Sequence, residues 1–426
     1  MDYFIRKHNK LYCEELALSD IADKYRTPLF VYSLRTFVHH FKIASQAFRD
    51  IPHAVFYSAK ANSNLSLLKI IAGLGGGCDV VSLGEYLAAR KAGIKRIVFS
   101  GVGKQDFEIE ETLRKGLDFF GVESENELRL IEKIAAKLKK RAPVSLRVNP
   151  DVDPKTHKYI ATGLKSEKFG IPFREAEELY HFISNCSHLS AVGISMHLGS
   201  QILTTEPFVQ GFKKLKHIFG RLKEKGIKLK YIDLGGGWAV PFTREQRFPG
   251  PSDYISALFP QMQNIDAEFI VEPGRSLIGN AGVLLSKVIY IKEANGKKFV
   301  ITDAAMNDLI RPALYGASHR IKPVLDREGK SIIADVVGPI CESSDIFAVN
   351  VELSNLREGD LICIFTAGAY GYSMASNYNS RLRPAEVLID GNQNYLIRER
   401  ESYPDLWRKQ KLLKLSPHIP YLKKIS

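Results

Sequence analysis

The sequence predicts an α/β protein made of a (β/α)8 TIM-like barrel and a mostly β C-terminal domain of β-sandwich or Greek-key barrel type. Three observations predict it. From about residue 54, short apolar, β-branched or aromatic runs alternate with longer amphipathic stretches, as consecutive β-loop-α units around a parallel sheet require. Eight such runs, at residues 54–59, 78–82, 96–101, 119–124, 144–149, 191–197, 231–234 and 268–272, fit the length of a closed barrel. After about residue 275 the helical period fades, and strand-like runs follow one another between Gly, Pro, Asn and Asp turns. An open doubly wound sheet is the competing architecture, but its G-x-G-x-x-G signature is absent after the first strand.

Residues 28–32 form a strand candidate ahead of the barrel and are expected to pack with the β domain. Within the barrel, the amphipathic stretches supply the outer helices. Over residues 125–138, Leu128, Ile131, Ala135 and Leu138 recur at helical spacing, while Arg129, Glu132, Lys133 and Lys137 occupy the other face. The β domain is expected to hold strands at 283–291, 298–302, 331–337, 361–365 and 385–389. Residues 402–426, with Arg408, Lys409, Lys411, Lys414, Lys423 and Lys424 against Asp405, read as a surface helix and tail. The expected division is a barrel over residues 34–275 and a β domain made of 1–33 with 276–426.

Composition sets outer bounds. A chain of 426 residues, 45% hydrophobic and 25% charged, is long enough for a substantial core and too apolar for general disorder. No run approaches the roughly 18 to 20 apolar residues of a membrane span, so no membrane partner is expected. The net charge of +13 admits nucleic acid, an anionic surface or anionic small molecules. Its densest stretch holds Lys213, Lys214, Lys216, Arg221, Lys223, Lys225, Lys228 and Lys230 against Glu224. That stretch reads as the solvated face of a barrel helix and its following turn, so no nucleic-acid partner is expected. Five scattered cysteines without a CxxC pair, and an N-terminus without an apolar signal stretch, point to a reducing, cytoplasmic compartment.

In a (β/α)8 barrel the chemistry lies at the carboxyl ends of the strands. Here those ends are polar. The first ends in Tyr57-Ser58-Ala59-Lys60-Ala61-Asn62, which sets an amine at the mouth. An amine following an apolar strand is desolvated, which is expected to lower its pKa and make it a Schiff-base nucleophile. The seventh ends in Gly235-Gly236-Gly237 and the eighth in Glu272-Pro273-Gly274-Arg275-Ser276. Barrels often hold a phosphate with these two loops, through backbone N–H groups that glycine lets approach closely. Glu272 beside an anion site needs a cation, and a protonated pyridine nitrogen would satisfy it. Lys60 for an aldehyde, a glycine cradle for a phosphate and Glu272 for a ring nitrogen together match pyridoxal 5′-phosphate. The sixth strand end, Met196-His197-Leu198-Gly199-Ser200-Gln201, adds an imidazole for the ring face and a hydroxyl for the phosphate. No metal is expected.

These residues belong to a longer series of motifs. FYSAKAN at 56–62 is followed by GGGCDVVSLGE at 75–85, SGVGK at 100–104, RVNP at 147–150, TGLKSEKFG at 162–170, MHLGSQ at 196–201, GGG at 235–237 and EPGR at 272–275. The β region continues with DAAMNDLIRPALYGASH at 303–319, GPICESSD at 338–345 and AGAYGYSMASNYN at 367–379. In this order the chain resembles, over nearly its whole length, the alanine-racemase-like, fold-type III pyridoxal-phosphate decarboxylases and, within them, the diaminopimelate decarboxylase family. Ala59, Tyr86, Trp238 and Ala239 depart from the family's usual residues without removing a functional group.

The resemblance implies roles position by position. Lys60 is similar to the Schiff-base lysine, His197 to the residue stacked on the ring and Glu272 to the partner of the pyridine nitrogen, with Asp79 an acidic residue near the ring. Ser200, Gly236, Gly237, Gly274, Arg275 and Tyr370 fall at cofactor-binding positions. Arg275, Arg311, Tyr315 and Tyr370 fall at substrate positions, and Glu342 is expected to take the distal amino group. Cys341 matches the proton donor, which in this family enters from the partner of a homodimer, so the β domain is expected to complete the active site and the dimer interface. The implied reaction is decarboxylation of meso-2,6-diaminopimelate to L-lysine and CO2, the last step of lysine biosynthesis. Glu342, where ornithine-type relatives carry Asp, and the arginines favour that substrate. The alternatives are a decarboxylase of D-lysine, D-ornithine or carboxynorspermidine, and a cofactor-binding homologue without catalysis.

Overall fold

The apolar runs form a closed ring of eight parallel strands, His53–Ser58, Gly77–Val80, Ile97–Phe99, Phe119–Val122, Ala142–Asn149, Leu189–Ser195, Tyr231–Asp233 and Glu268–Val271. The structure is a computed structural model that describes residues 3–153, 168–243 and 245–413. Most of the motif at 162–170 and the tail lysines Lys414, Lys423 and Lys424 lie outside the described residues. The ring shuts where Phe269 pairs with His53 and Val271 with Val55. Its strands are apolar on both faces because both are covered. Phe56, Val98, Phe119, Val192 and Ile270 form one cluster that plugs the barrel. Tyr57, Phe99, Phe120 and Phe269, one residue along, pack outward under the helices.

Serine caps start several of those helices. Ser82 Oγ accepts from Glu85 N at 3.2 Å and Ser124 Oγ from Glu127 N at 3.2 Å, each an S-x-x-E start visible in the sequence. The helix Glu125–Leu138 buries Leu128, Ile131, Ile134 and Ala135, the face its periodicity predicts. The eighth unit differs from the repeat. After the last strand the helix Arg275–Ile278 is four residues long. Its place against the first strand and the helix Pro251–Met262 is taken by Leu34–Gln46, from ahead of the barrel.

The β region is built on one sheet whose order is Ile346–Leu353, Ile332–Val337, Lys297–Thr302, Gly282–Ala294, Leu29–Ser33, Ala385–Asp390 and Gln393–Arg398, with Leu361–Ile364 also on Gly282–Ala294. Leu29–Ser33 lies between two strands of that sheet, antiparallel to one and parallel to the other. Its alternation serves both faces. Phe30 and Tyr32 join the core shared with the barrel, while Leu29 and Val31 pack with Val283, Leu285, Val387 and Ile389. The sequence reading overlooks the small sheet Phe4–Lys7, Lys10–Cys13 and Leu16–Ala17, and the strands Ile321–Pro323, Ile346–Leu353 and Gln393–Arg398. The last two are sheet edges with many exposed residues, so they lack the apolar run by which the inner strands are recognised.

Of the tail, Tyr403–Trp407 is helical, and the described residues after it are not. The lysine-rich stretch is the helix Glu206–Glu224 with its following turn. Several of its cations have local partners. Lys214 donates to Pro150 O and Lys216 to Gln261 O, each at 2.6 Å, while Arg221 and Lys225 pair with Glu177 at 2.9 and 2.8 Å. Among the described residues, no helix is long and apolar enough to cross a membrane.

Candidate active site

The first barrel strand ends in a single 3-10 turn, Ala59–Ala61, whose two alanines are fully buried. Gly274 of the eighth strand end packs so closely that a Cβ there would lie 3.1 Å from both Ala61 and Ser58. Held in this way, Lys60 donates from Nζ to Asp79 Oδ2 at 2.9 Å, and Ser58 Oγ donates to the same oxygen at 2.8 Å. The depression expected for the Lys60 amine is therefore not found. Burial pushes it down, but the Asp79 carboxylate beside it pushes it up further, and the net shift is upward. Burial likewise pushes Asp79 up, and Lys60 with the surrounding hydroxyls brings it below the ordinary aspartate value.

The β region braces this turn from behind. Asn62 Nδ2 donates to Tyr32 Oη at 2.9 Å, and Tyr32 donates to Glu386 Oε1 at 2.6 Å. Glu386 is fully buried and also accepts from Asn64 Nδ2 at 2.8 Å and from Arg398 Nε. Tyr370 N donates to Ala61 O at 2.8 Å, which brings the tyrosine of the loop after Leu361–Ile364 to the barrel mouth.

Opposite Lys60, the sixth and seventh strand ends are stitched together. Ile202 N donates to Gly237 O at 3.0 Å, and the Gln201 amide exchanges hydrogen bonds with the Val240 backbone at 3.0 and 2.9 Å. The approach is too close for side chains. A Cβ on Gly236 would fall 2.2 Å from Glu272 O and one on Gly237 2.3 Å from Gly199 O. Gly237 also has φ of +107°, a conformation that glycine alone adopts readily. Arg275 adds the cation, donating from Nη2 to Ser200 Oγ at 3.1 Å and lying 4.8 Å from the Tyr370 ring centre. Its Nη1 is buried and meets no partner among the described residues.

His197 Nδ1 accepts from Gly236 N at 3.1 Å, which leaves the ring proton on Nε2. Burial first, then the charges of Arg147 and Lys60, push His197 far below its usual value, so the ring is neutral. Glu272 is pushed well up by burial and by the nearby carboxyls of Asp233 and Asp79. Asp233, whose Oδ1 accepts from Gly235 N at 2.8 Å, is pushed up to about 7, chiefly by burial. Lys60 draws Glu272 down and Arg147 draws Asp233 down, but neither offsets burial; a further cation brought to the pair would favour release of a proton. Lys60, His197 and Glu272 line both a small cavity of about 30 Å³, with Ser200, Gly237 and Arg275, and a larger one of about 430 Å³, with Arg147, Asp233 and Ser100.

Arg311 is buried near Arg275, with its guanidinium 5.1 Å from the Phe242 ring centre and 6.0 Å from that of Tyr315. Cys341 and Glu342 are not brought to this constellation. Both are exposed and neither lines the two cavities. Cys341 N donates to Asn379 Oδ1 at 3.1 Å, and Glu342 accepts from Tyr378 Oη at 2.7 Å.

The sequence reading missed a set of supporting residues. Arg147 donates to Glu123 Oε1 at 2.7 Å and to His197 O at 3.2 Å, while Glu123 Oε2 accepts from Gly170 N at 2.8 Å. Nearby, Lys104 Nζ is satisfied by Gly101 O, Gly121 O and Glu127 Oε1. Charged residues at apolar strand ends, Glu123, Arg147 and Asp233, were the available signal.

Comparison with known proteins gives one consistent result. The family model for the pyridoxal binding domain of pyridoxal-dependent decarboxylases matches residues 34–279. The chain is 47% identical to the diaminopimelate decarboxylase of Haemophilus influenzae, covering 96% of this chain and 99% of that protein. It is 44% identical to the Vibrio cholerae protein of the same name, at 97% and 100% coverage. Among solved structures, the diaminopimelate decarboxylase of M. jannaschii in complex with L-lysine superposes with a TM-score of 0.92 at 36% identity, covering 97% of this chain and 98% of that one. The Helicobacter pylori enzyme, also complexed with L-lysine, gives 0.89 at 41%, covering 92% and 98%.

Proposed function

Since the chain belongs to the diaminopimelate decarboxylase family of pyridoxal-dependent enzymes, we propose that it decarboxylates meso-2,6-diaminopimelate to L-lysine and CO2, the last step of lysine biosynthesis. The observation that carries the substrate choice is the pair Arg275 and Arg311, two buried cations without an ion-pair partner among the described residues, next to an amine suited to an aldehyde. A buried, unpaired guanidinium is costly and calls for an anion. A substrate with a carboxylate at each end supplies one beyond the group that leaves.

The residues present fit pyridoxal 5′-phosphate. Arg275 Nη1 has no partner among the described residues, the Gly236 and Gly237 cradle excludes side chains, and burial holds the Glu272 carboxyl well up despite Lys60, so a cationic ring nitrogen would suit it. Lys60 would hold its aldehyde carbon, Ser200, Gly236, Gly237, Gly274, Arg275 and Tyr370 its phosphate end, His197 its ring face and Glu272 its ring nitrogen. When bound, the cofactor supplies an electron-accepting ring that takes up the electron pair left when CO2 departs.

The chain's own groups do the rest. Asp79 keeps the Lys60 ammonium ready to hand its proton on, and neutral His197 places no charge against the ring. Glu272, held well above its usual value by burial, would face the ring nitrogen, whose positive charge would favour the carboxylate form. Arg311 and Arg275 fix the distal carboxylate with Tyr315 and Tyr370, Glu342 takes the distal amine, and Cys341 Sγ returns a proton to the carbon that lost its carboxylate. Cys341 and Glu342 are exposed in one chain, which supports a homodimer in which each copy completes the other's site. We also infer a division into a barrel over 34–275 and a β domain of 1–33 with 276–426, supported by the pairing of Leu29–Ser33 with Gly282–Ala294. Five free thiols support a reducing, cytoplasmic setting.

The test is to supply purified protein with pyridoxal phosphate and meso-diaminopimelate and to measure CO2 and lysine, with D-lysine and D-ornithine run alongside. Absence of both products sinks the proposal, and faster turnover of either comparison substrate sinks the substrate choice.

A further inference from the structure

Arg311 is held by a neutral partner. Its Nη1 donates to His319 Nε2 at 3.2 Å, and His319 Nδ1 lies 2.8 Å from the Phe365 carbonyl oxygen. A carbonyl only accepts, so Nδ1 carries the proton and Nε2 turns its lone pair to the arginine. Phe242 closes the assembly from the side. Its ring meets His319 edge to face with centroids 5.1 Å apart and also carries the Arg311 guanidinium. Burial and then the Arg311 charge push His319 down to about 3, so protonation does not disturb the contact near neutral pH.

The choice of residue has a physical consequence. A carboxylate at this position would orient Arg311 through a stronger, charge-assisted bond, but would cancel the charge the substrate needs. An apolar residue would leave the charge and lose the orientation. We propose that His319 is a positioning residue for substrate specificity, which fixes the Arg311 guanidinium through Nε2 and leaves its positive charge whole for the distal carboxylate. Arg311 Nε, buried and without a partner among the described residues, is a donor still open to that carboxylate. The inference rests on the assignment of Arg311 to the distal carboxylate.

Three variants of the holoenzyme separate the roles: His319→Gln keeps a neutral acceptor, His319→Glu keeps an acceptor but adds charge, and His319→Leu removes the acceptor. Each is read by KM and kcat for meso-diaminopimelate and by calorimetric affinity for pimelate, a dicarboxylate of the same chain length without amines. Circular dichroism and cofactor absorbance establish folding. The expected result is that Gln stays within about 5-fold of wild type, while Glu and Leu lose about 30-fold or more in KM and in pimelate affinity with kcat changed far less. A folded Glu variant that binds pimelate as wild type does overturns the proposal. So does a folded Gln variant that loses affinity about 30-fold, which decides the matter even if Glu and Leu fail to fold. Pimelate binding is read without turnover, so a wild type that binds it and releases no CO2 counts against the proposed reaction alone.

Discussion

Lys60 Nζ lies 2.9 Å from Asp79 Oδ2, so the amine proposed to meet an aldehyde is held as an ammonium at the barrel mouth. The attacking form is the neutral amine, and two opposed influences set how much of it exists. Burial favours the neutral form, and the Asp79 carboxylate favours the charged one and prevails.

Replacing Asp79 by Asn leaves burial unopposed from that side. The apo-protein should then take up pyridoxal phosphate at least about 10-fold faster at any fixed pH between 6 and 9, because more of the amine is neutral. Stopped-flow growth of the lysine-bound absorbance band between pH 6 and 9, trapped with borohydride, measures it. An unchanged uptake rate at fixed pH would falsify the view that Asp79 controls Lys60. Lys60→Ala should yield no trapped band at all.

The cradle makes a steric prediction. At Gly237 an added methyl would meet Gly199 O at 2.3 Å on a backbone of φ +107°, so both loops must move. Gly237→Ala should weaken pyridoxal phosphate binding by about 100-fold, while the barrel, whose strands end before this loop, keeps its circular dichroism. Equilibrium dialysis gives the affinity, and a loss under about 3-fold would mean that the loops are not a rigid phosphate site.

The carboxyl pair behind the site predicts a pH dependence. Asp233 is raised from 3.8 to about 7, and Glu272 is also raised, burial being the largest cause for each. Asp233 therefore holds more proton in the folded apo-protein than in the unfolded chain between pH 3.8 and about 7, so its contribution to stability falls as pH rises across that window and levels off above it. Asp233→Asn should flatten that slope. Urea denaturation of the apo form at pH 5.5 and 8.0 measures it, and equal slopes in both proteins would contradict the assignment.

Legibility of the fold followed covering. Strands covered on both faces, such as His53–Ser58 or Leu29–Ser33, are continuous apolar runs and were readable directly; edge strands such as Gln393–Arg398 pair by backbone alone and left no such trace. The helix Leu34–Gln46 was outside any repeat, so its place in the helical ring depends on a long-range contact. At the site, the residue types at strand ends gave Lys60, the glycine cradle and Glu272. The sign of the Lys60 shift was misread because Asp79 belongs to the next strand, and the charge of one neighbour reverses what burial alone dictates. His319 meets Arg311 through a contact that no strand-end position marks, so it becomes evident only with distances in hand.

The exposure of Cys341 and Glu342 yields the sharpest test of the assembly. In one chain, Glu342 is tied to Tyr378 and Ser344, and the Cys341 backbone to Asn379, all on the outer side of the β region and none lining the cavities at Lys60. If the two residues act in a partner's site, Lys60→Ala and Cys341→Ala proteins should each be inactive in decarboxylation alone and recover activity when unfolded and refolded together. Random pairing makes half of the dimers mixed, each with one site carrying both defects and one carrying neither, so about a quarter of wild-type activity should return. A self-contained site would return none, because every Lys60 and Cys341 defect would stay in its own chain. Refolding each variant with itself controls for recovery, and light scattering establishes that dimers have formed.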